Sequence, residues 1–374
     1  YFDNVRIVPY EQARAKVAGI FTDVYRNAAA EGKVEFRVAL NLNEKELAGE
    51  NTAFCRFVGA SGERKIRQVP LESVCEASFS LAVQDLALGM HPVEFAIRGP
   101  DGRQIGKSSV DFTRTASPIR RQVDIDRYNR VLVDGKPFFP LGMYVEHIDN
   151  SQETNLSVYC QAPFNCILPY SPPKDRSQLD RCASNNLMVI ASIYHVWAGT
   201  RKSWVKTEAE EKPYLLKAVR AFAGHPALLA WYECDELPAA MIPRMKERVR
   251  YMAEIDPDHP VFACLCQVDE LRDYMSGFET VGSDPYPIGR EISNPHPISF
   301  VAEWTRKTRK ACFGMRSLWQ IPQAFDWSWF SKAKDDRSRF PNPLEIRNMS
   351  YQCIAEGANG LIYYSFGSML KYDR

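Results

Sequence analysis

Residues 225–236 read HPALLAWYECDE, and this stretch does most to decide the fold. A short apolar run, Ala227 to Trp231, leads into three carboxylates within four residues, Glu233, Asp235 and Glu236. An apolar run of this length beside a proline is typical of a buried strand. Because desolvating an unpaired charge costs far more than packing returns, we expect the acids to emerge at the C-terminal end of the strand. Barrels of α/β type keep their chemistry at that end, where a carboxylic acid beside aromatic rings can act as a general acid.

The same acids have a simpler interpretation as the start of a helix. Asp and Glu favour first helical turns, and residues 235–238, DELP, precede a helical stretch. The number of further strands along the chain favours the catalytic interpretation, as described below.

Length and composition indicate a globular protein of two domains. The 374 residues exceed one typical domain, and 45% apolar with 25% charged residues is ordinary. The charges nearly cancel, 47 basic against 46 acidic, which argues against a nucleic-acid partner. No apolar run approaches the ~20 residues that a membrane helix needs. The first residue, Tyr1, is not an initiator Met, so we expect a processed or partial N-terminus.

The cysteines predict neither a disulfide scaffold nor a metal site. Ten Cys are too few for a disulfide framework in a chain of this length, and no CxxC pair exists. Cys264 and Cys266 have no nearby His to complete a zinc site. We therefore expect buried thiols, no metal and no cofactor.

Residues 11–121 have the pattern of short antiparallel strands. Apolar side chains alternate with polar or small ones in three segments, 34–42, 77–83 and 93–97. Short alternating strands at this spacing predict an all-β sandwich of immunoglobulin-like type. Since it contains no cluster of ionisable residues, we expect it to give structural support.

From 122 to 374 the pattern becomes that of an α/β domain, with apolar strands separated by helical stretches. Eight strands are predicted: Phe138–Tyr144, Cys166–Tyr170, Leu187–Ile193, Leu228–Tyr232, Val261–Cys266, Thr280–Asp284, Ser317–Ile321 and Gly360–Ser365. Eight strands with helical crossovers over ~250 residues predict a (β/α)8 TIM barrel. A doubly wound sheet is the alternative, but no Gly-rich phosphate loop follows its first strand. Nine residues follow Ser365, so we expect a short or missing closing helix.

Residues 131–143, VLVDGKPFFPLGM, resemble the start of the barrel in glycoside hydrolase family two and in related clan A enzymes such as the β-galactosidases. In that family an immunoglobulin-like domain precedes the barrel. Its fourth strand carries His-Pro, an apolar run, Trp and then Asn-Glu. This sequence has His225-Pro226, Trp231 and Asp235-Glu236 at matching spacing. The resemblance implies that Glu236 is the general acid/base and that Asp235 replaces the Asn that binds the sugar 2-hydroxyl.

The resemblance covers the layout of residues 11–370, while its specific motifs cover strands one and four. Residues 1–10 predict one further strand, which resembles the last strand of an upstream carbohydrate-binding module. The same strand could equally be the first strand of the sandwich.

The sequence departs from the family at strand seven, where clan A enzymes place a nucleophilic Glu. Here Gln320 and Gln323 stand at the expected end, and we expect one of them opposite Glu236. An amide cannot form the glycosyl ester that a carboxylate forms. Asp284 at the end of strand six and Asp326 beyond strand seven are the candidate catalytic replacements. The alternative role of Asp284, which precedes a proline, is to initiate a turn.

Aromatic residues at strand ends predict a sugar-binding surface, since flat apolar rings suit the faces of pyranoses. We expect about half of them to be core, because side chains on a strand point alternately to opposite faces. His195 is expected to donate a hydrogen bond or to belong to the core. The candidate substrate-binding residues are Asp235, Tyr144, His195, Trp197, Tyr286, Trp319, Gln323, Trp327 and Tyr364.

Two classes of function follow. The first is a glycoside hydrolase acting on oligo- or polysaccharides, favoured by the carboxylates at strand ends. The second is a barrel without turnover that binds carbohydrate or serves as a structural extracellular protein, favoured by Gln at strand seven. A phosphate-handling barrel would need Gly-rich loops after strands seven and eight, which are absent. Asn155 and Asn348 begin glycosylation sequons. We expect a secreted or extracellular protein, with a cytoplasmic location as the alternative.

Overall fold

A computed structural model describes residues 14–149, 155–289, 296–330 and 338–372. The chain divides into two compact units, Tyr1–Ile119 and Arg120–Arg374. The strand predicted for residues 1–10 lies outside the described residues.

The first unit consists of two antiparallel sheets with one additional parallel strand pair. Its strands are β1 (Val17–Thr22), β2 (Ala28–Ala29), β3 (Lys33–Leu40), β4 (Thr52–Val58), β5 (Arg64–Val69), β6 (Glu76–Ala82), β7 (Gly89–Arg98) and β8 (Gln104–Arg114). The sheet orders are β1-β3-β6 and β2-β8-β7-β4-β5. One short helix, α1 (Glu44–Ala48), precedes β4 and is capped by Asn43.

The two sheets share one apolar core, which the alternating pattern creates. Val34, Phe36 and Val38 of β3 are fully buried, and the core continues into Phe95 of the other sheet. The rings of Phe36 and Phe79 stack with centroids 4.8 Å apart. The first unit is thus a β domain with one face of each sheet buried, as period-two alternation requires.

A three-stranded sheet closes the N-terminal end of the barrel that follows. Its strands are β9 (Val123–Ile125), β10 (Val131–Val133) and β11 (Lys136–Phe138). The backbone N–H of Val123 donates to Asp258, just before a barrel strand. The side-chain amide of Gln122 donates to the carbonyls of His225 and Pro226 at 3.1 Å. These contacts lie at the end of the barrel where its strands begin. The opposite end, where the strands finish, therefore remains open for a functional site.

The second unit contains the predicted eight-stranded parallel barrel, which is confirmed. Its strands, in order around the closed barrel, are β12 (Leu141–Val145), β13 (Cys166–Pro169), β14 (Met188–Ser192), β15 (Leu228–Asp235), β16 (Val261–Cys264), β17 (Thr280–Gly282), β18 (Ser317–Gln320) and β19 (Gly360–Tyr363). Pairing of Leu141 with Leu361 closes the circle. The closure excludes the open doubly wound sheet.

Helices join the barrel strands and cover their outer faces. They are α2 (Leu156–Tyr159), α3 (Arg176–Ala183), α4 (Glu211–Phe222), α5 (Ile242–Ile255), α6 (Leu271–Tyr274), α7 (Phe300–Ala311), α8 (Pro343–Ala355) and α9 (Phe366–Tyr372). Leu215 and Val219 of α4 pack with Trp231 of β15 in the outer core layer. No helix among the described residues is both long and apolar enough to cross a membrane.

A bulge in β15 decides which acids face the interior. Tyr232 lies inside the barrel, and the register of β15 against β16 shifts between Tyr232 and Cys234. Strict alternation from Tyr232 would point Asp235 to the same side as Glu233. The additional residue of the bulge instead lets Glu233 face outward and Asp235 face the opening.

Close strand packing at Gly142 makes a stability test of the barrel. A Cβ at Gly142 would overlap the backbone carbonyl of Cys166 on the neighbouring strand. We predict that Gly142→Ala lowers the free energy of unfolding by at least about 1–3 kcal/mol, measured by urea denaturation. Gly224→Ala is the matched control, because nothing lies within 4 Å of its added Cβ. The free energy of unfolding of Gly224→Ala should stay within about 1 kcal/mol of the wild-type value. An equal loss of stability in Gly142→Ala and Gly224→Ala would contradict the prediction.

Candidate active site

Three carboxyl groups emerge at the C-terminal end of the barrel. Asp235 is the last residue of β15, and Glu236 follows it with φ of +53°. This left-handed backbone is rare for residues other than glycine. The backbone N–H of Glu236 donates to the Cys264 carbonyl at 2.9 Å, which holds the turn. Asp284 follows β17, whose last residue is Gly282, so two strands deliver acids to one opening.

Glu236 and Asp284 form a carboxyl pair, with their side chains within hydrogen-bonding reach of each other. The pKa of Asp284 is raised well above its usual value, chiefly by burial and then by the charges of Glu236 and Asp235. One oxygen of Asp284 is fully buried, whereas the Glu236 side chain is exposed. Two such groups cannot both ionise at low cost, so the pair holds a proton, and burial favours its location on Asp284.

Asp235 lies beside this pair and is held by Tyr170. The hydroxyl of Tyr170 donates to Asp235 Oδ2 at 3.2 Å. Burial, followed by the charge of Glu236, raises the pKa of Asp235, while Lys202 and the hydrogen bond from Tyr170 lower it. Asp235 is therefore an oriented hydrogen-bonding group at the edge of the pair.

Aromatic rings form the wall of the opening. Tyr144 and Tyr232 are fully buried and make its floor, with ring centroids 5.7 Å apart. Five half-buried rings, which we call the aromatic wall, surround that floor: Tyr170, Tyr194, Tyr286, Trp327 and Tyr364. Tyr364 joins the two sides of the wall, since its centroid lies 6.2 Å from Tyr170 and 6.1 Å from Tyr286. A surface of such rings can bind the flat apolar face of a ligand.

Lys202 and His195 complete one side of the opening. The Lys202 ammonium lies 5.9 Å from the Tyr170 ring centroid and 5.7 Å from that of Tyr194, in cation–π geometry. His195 is bonded through Nδ1 to the Lys202 carbonyl at 2.9 Å and stacks on Trp204. Burial lowers the pKa of His195. His195 therefore orders the Lys202 loop beside the site.

Two of the aromatic residues that the sequence predicts for the site, Trp197 and Trp319, lie inside the protein. Trp197 is 1% exposed, donates to the Glu233 carbonyl at 2.7 Å, and lies under Arg248. Trp319 is fully buried in the barrel interior and stacks on Phe262. Neither ring can receive a ligand, because both are covered by protein.

The strand-seven glutamines are committed to backbone and side-chain partners. Gln323 accepts from the Ile288 N–H at 2.9 Å and donates to the Ile288 carbonyl at 2.8 Å. Gln320 accepts from Ser283 and donates to Thr305. Both are fully buried, so each holds a loop in place of facing Glu236. Asp326 accepts from the Ser328 N–H at 2.8 Å and caps a turn, apart from the carboxyl pair.

Glu233 is also placed differently from the expectation that all three acids of this stretch emerge. It is fully buried on the outer side of β15, and neither carboxyl oxygen has a hydrogen-bond partner within the described residues. Burial raises the pKa of Glu233 well above its usual value, although the charge of Arg248 opposes this. The fold therefore keeps Glu233 protonated, which avoids a buried charge.

Some site residues carry no signal that sequence patterns detect. Lys202 stands in a loop ten residues beyond β14, and its approach to Asp235 depends on tertiary structure. Cys266 follows β16, and burial together with Glu236 raises the pKa of its thiol to about 12. The position of Tyr170 at a predicted strand end was a usable signal. Among the described residues, no group of three His, Cys, Asp or Glu side chains could hold a metal ion.

Comparisons with known proteins concern the fold. No protein-family model and no curated protein matches the sequence. Three similar solved structures are a calcium-binding mutant of β-glucuronidase 2 from Bacteroides uniformis (11% identity, TM-score 0.49), β-D-glucuronidase of Dictyoglomus thermophilum (12%, 0.48), and β-glucuronidase from Ruminococcus gnavus in complex with N1-substituted uronic isofagomine (14%, 0.47). The alignments cover 93%, 95% and 94% of this chain, but 45%, 62% and 61% of those chains. Similarities of this size assign no residue role.

The buried Glu233 makes the stability of the fold depend on pH. Its folded pKa is raised, so the folded state binds a proton that the unfolded state releases as pH rises above about 4.3. The contribution of Glu233 to wild-type stability should therefore fall as pH rises through this window, by up to about 1.4 kcal/mol per pH unit. We predict that Glu233→Gln, which cannot ionise, gains stability relative to the wild type as pH rises. Urea midpoints between pH 4 and 8 measure this.

The exposed α5 residue Glu247 provides the matched control. Glu247→Gln should follow the wild-type pH dependence. Curves for Glu233→Gln and the wild type that run parallel across the same range would contradict the account of Glu233.

Proposed function

We propose that this protein is a glycoside hydrolase that cleaves glycosidic bonds in oligo- or polysaccharides, with Glu236 and Asp284 as its working carboxyl groups. The observation that carries this proposal is the carboxyl pair itself, placed at the C-terminal opening of a closed barrel and surrounded by aromatic rings. Active sites of such barrels lie at that end. Glycoside hydrolysis uses two carboxyl groups, one protonated and one ionised, on either side of the bond.

The two members of the pair have different roles in this proposal. Raised pKa keeps the proton on Asp284, which donates it to the oxygen of the leaving group. As the bond to the leaving group breaks, an oxygen of Glu236 forms a bond to the anomeric carbon. In the second step a water gives a proton to Asp284 and attacks that carbon, which breaks the bond to Glu236 and restores the proton of Asp284. This assignment gives the acid role to Asp284, after strand six, although the sequence predicts it for Glu236, and it makes Glu236 the nucleophile that strand seven lacks.

The separation of the pair sets a condition on substrate binding. Retaining enzymes hold their carboxyls ~5 Å apart and inverting enzymes ~6.5–9.5 Å apart, both wider than a direct hydrogen bond. A sugar entering between the groups must therefore part them. Glu236, the exposed and longer side chain, is the member that can rotate.

The surrounding side chains supply binding. Asp235, fixed by Tyr170, can accept a hydrogen bond from a sugar hydroxyl. The aromatic wall offers ring faces to the apolar face of a pyranose. In this proposal the β domain serves as an immunoglobulin-like structural support. The location of the protein outside the cell stays a prediction.

A second candidate function is carbohydrate binding without turnover. The direct contact of the carboxyl pair favours it, as does the commitment of Gln320 and Gln323 to buried hydrogen bonds. In that case the opening binds sugar through Asp235 and the aromatic wall, and the pair stabilises the empty site.

Substitution of the pair tests the proposal. We predict that Glu236→Gln and Asp284→Asn each lower kcat on the best of a panel of aryl glycosides and oligosaccharides by at least ~10²-fold, since each removes a proton-transfer group. Glu247→Gln on α5 should keep wild-type turnover. Binding of the same sugars is measured in parallel. Sugar binding by the wild type without turnover would favour the second function, and unchanged kcat in either pair variant would remove that residue from the mechanism.

The charge of Asp235 should set the upper pH limit of turnover. It is one cause of the raised pKa of Asp284, so Asp235→Asn lowers that pKa. The protonated form of Asp284 is then lost at lower pH. We predict that the alkaline limb of the kcat/KM profile shifts to lower pH in Asp235→Asn, whatever the loss in absolute rate. A limb that stays in place or moves upward would show that Asp284 is not the acid.

A further inference from the structure

A cavity of about 210 Å³ lies outside the barrel and is separate from the carboxyl pair. It is enclosed by β14, β15, α4 and the segment that follows β13. Apolar side chains make up most of its lining: Pro172, Pro173, Tyr214, Phe222 and Trp231. Ala218 and Ala221 complete the α4 side, where their small side chains leave the space open. We call this space the outer cavity.

The deep part of the outer cavity is apolar apart from the buried Ser192 hydroxyl, which has no hydrogen-bond partner among the described residues. The indole N–H of Trp231 donates to Asp256 Oδ2 at 2.7 Å, so that polar atom is already bonded and the ring offers carbon to the cavity. Trp231 is 1% exposed and Phe222 is buried. A ligand that fills this part must therefore present an apolar group, because a polar one would lose its hydrogen bonds with water.

The rim of the outer cavity is positively charged. Lys174 and Lys217 both line it and are exposed, and neither forms an ion pair within the part of the chain that the structure describes. The Arg176 guanidinium donates to the carbonyl of Ala221, another lining residue, at 2.9 Å. The neighbouring acid, Asp175, accepts a hydrogen bond from the Ser177 hydroxyl at 2.6 Å at the start of α3. An apolar pocket with a cationic rim complements an amphiphilic anion.

We propose that the outer cavity binds a small carboxylate whose body is one aromatic ring. The ring lies against Trp231 and Phe222, and the carboxylate meets the ammonium groups of Lys174 and Lys217 at the rim. The volume fits this class, since a dry apolar cavity of ~150 Å³ holds benzene and the additional space admits a short acidic arm. The outer cavity contains no residue of the carboxyl pair. This proposal is therefore independent of the hydrolase proposal, and each can be tested without the other.

Fluorine NMR titration of the full chain tests this with 4-fluorophenylacetate and, as its uncharged counterpart, 4-fluorophenylacetamide. We expect both to bind saturably, with the carboxylate about fivefold tighter, because two exposed ion pairs together contribute roughly that factor. The double substitution K174M/K217M should remove the preference for the carboxylate and leave binding of the amide unchanged. Lys246→Met on α5 should preserve the preference, which controls for a general loss of positive charge.

A substitution that fills the outer cavity provides a second test of the proposal. Ala218→Leu should weaken binding of both compounds at least tenfold, with folding checked by circular dichroism. If Ala218→Leu does not fold, the comparison of K174M/K217M with the wild type still tests the proposal. Equal affinity for the carboxylate and the amide, an unchanged preference in K174M/K217M, or the absence of saturable binding would each overturn the proposal.

Discussion

Repulsion between carboxyl groups at the opening of a closed barrel is the constraint on which the site depends. Closure brings the ends of β15 and β17 together, and Asp235, Glu236 and Asp284 arrive in one half-buried space. Burial penalises their charged forms, and each charge penalises the others. The least costly arrangement is a shared proton within the carboxyl pair, with Asp235 oriented by the Tyr170 hydroxyl. A proton held in this way is the one that acid catalysis can use.

The barrel itself could be predicted because parallel strands are buried on both faces. Such strands appear in a sequence as short apolar runs separated by helical stretches, and the eight predicted runs overlap the eight observed strands. Of the three acids expected beyond this strand, Glu236 follows the last residue of β15, whereas Glu233 is buried within it. The β domain was visible through strict alternation, of which Val34, Phe36 and Val38 are the plainest case.

The roles of individual side chains could not be predicted where tertiary structure decides the direction they face. The bulge between Tyr232 and Cys234 turns Glu233 outward and Asp235 inward. The sequence of residues 225–236 contains no signal that predicts the position of this bulge. Trp197 and Trp319 stand at strand ends as sugar-binding residues would, yet both are covered. Gln323 lies just beyond the predicted strand seven, and its amide suits the paired donor and acceptor of Ile288, which a carboxylate could not match.

Three buried carboxyl groups of this barrel have pKa values raised in the same direction. The raised pKa values of Glu233, Asp235 and Asp284 mean that the folded chain holds protons that the unfolded chain releases. The contribution of these three groups to stability is therefore greatest below the ordinary carboxyl pKa and falls as pH rises through the raised values. The acid form of Asp284 is lost over the same rise. Glu233 has no place at the opening, but it shares β15 with Asp235. The bulge that turns Asp235 toward the opening thus leaves Glu233 buried on the outer side of the same strand.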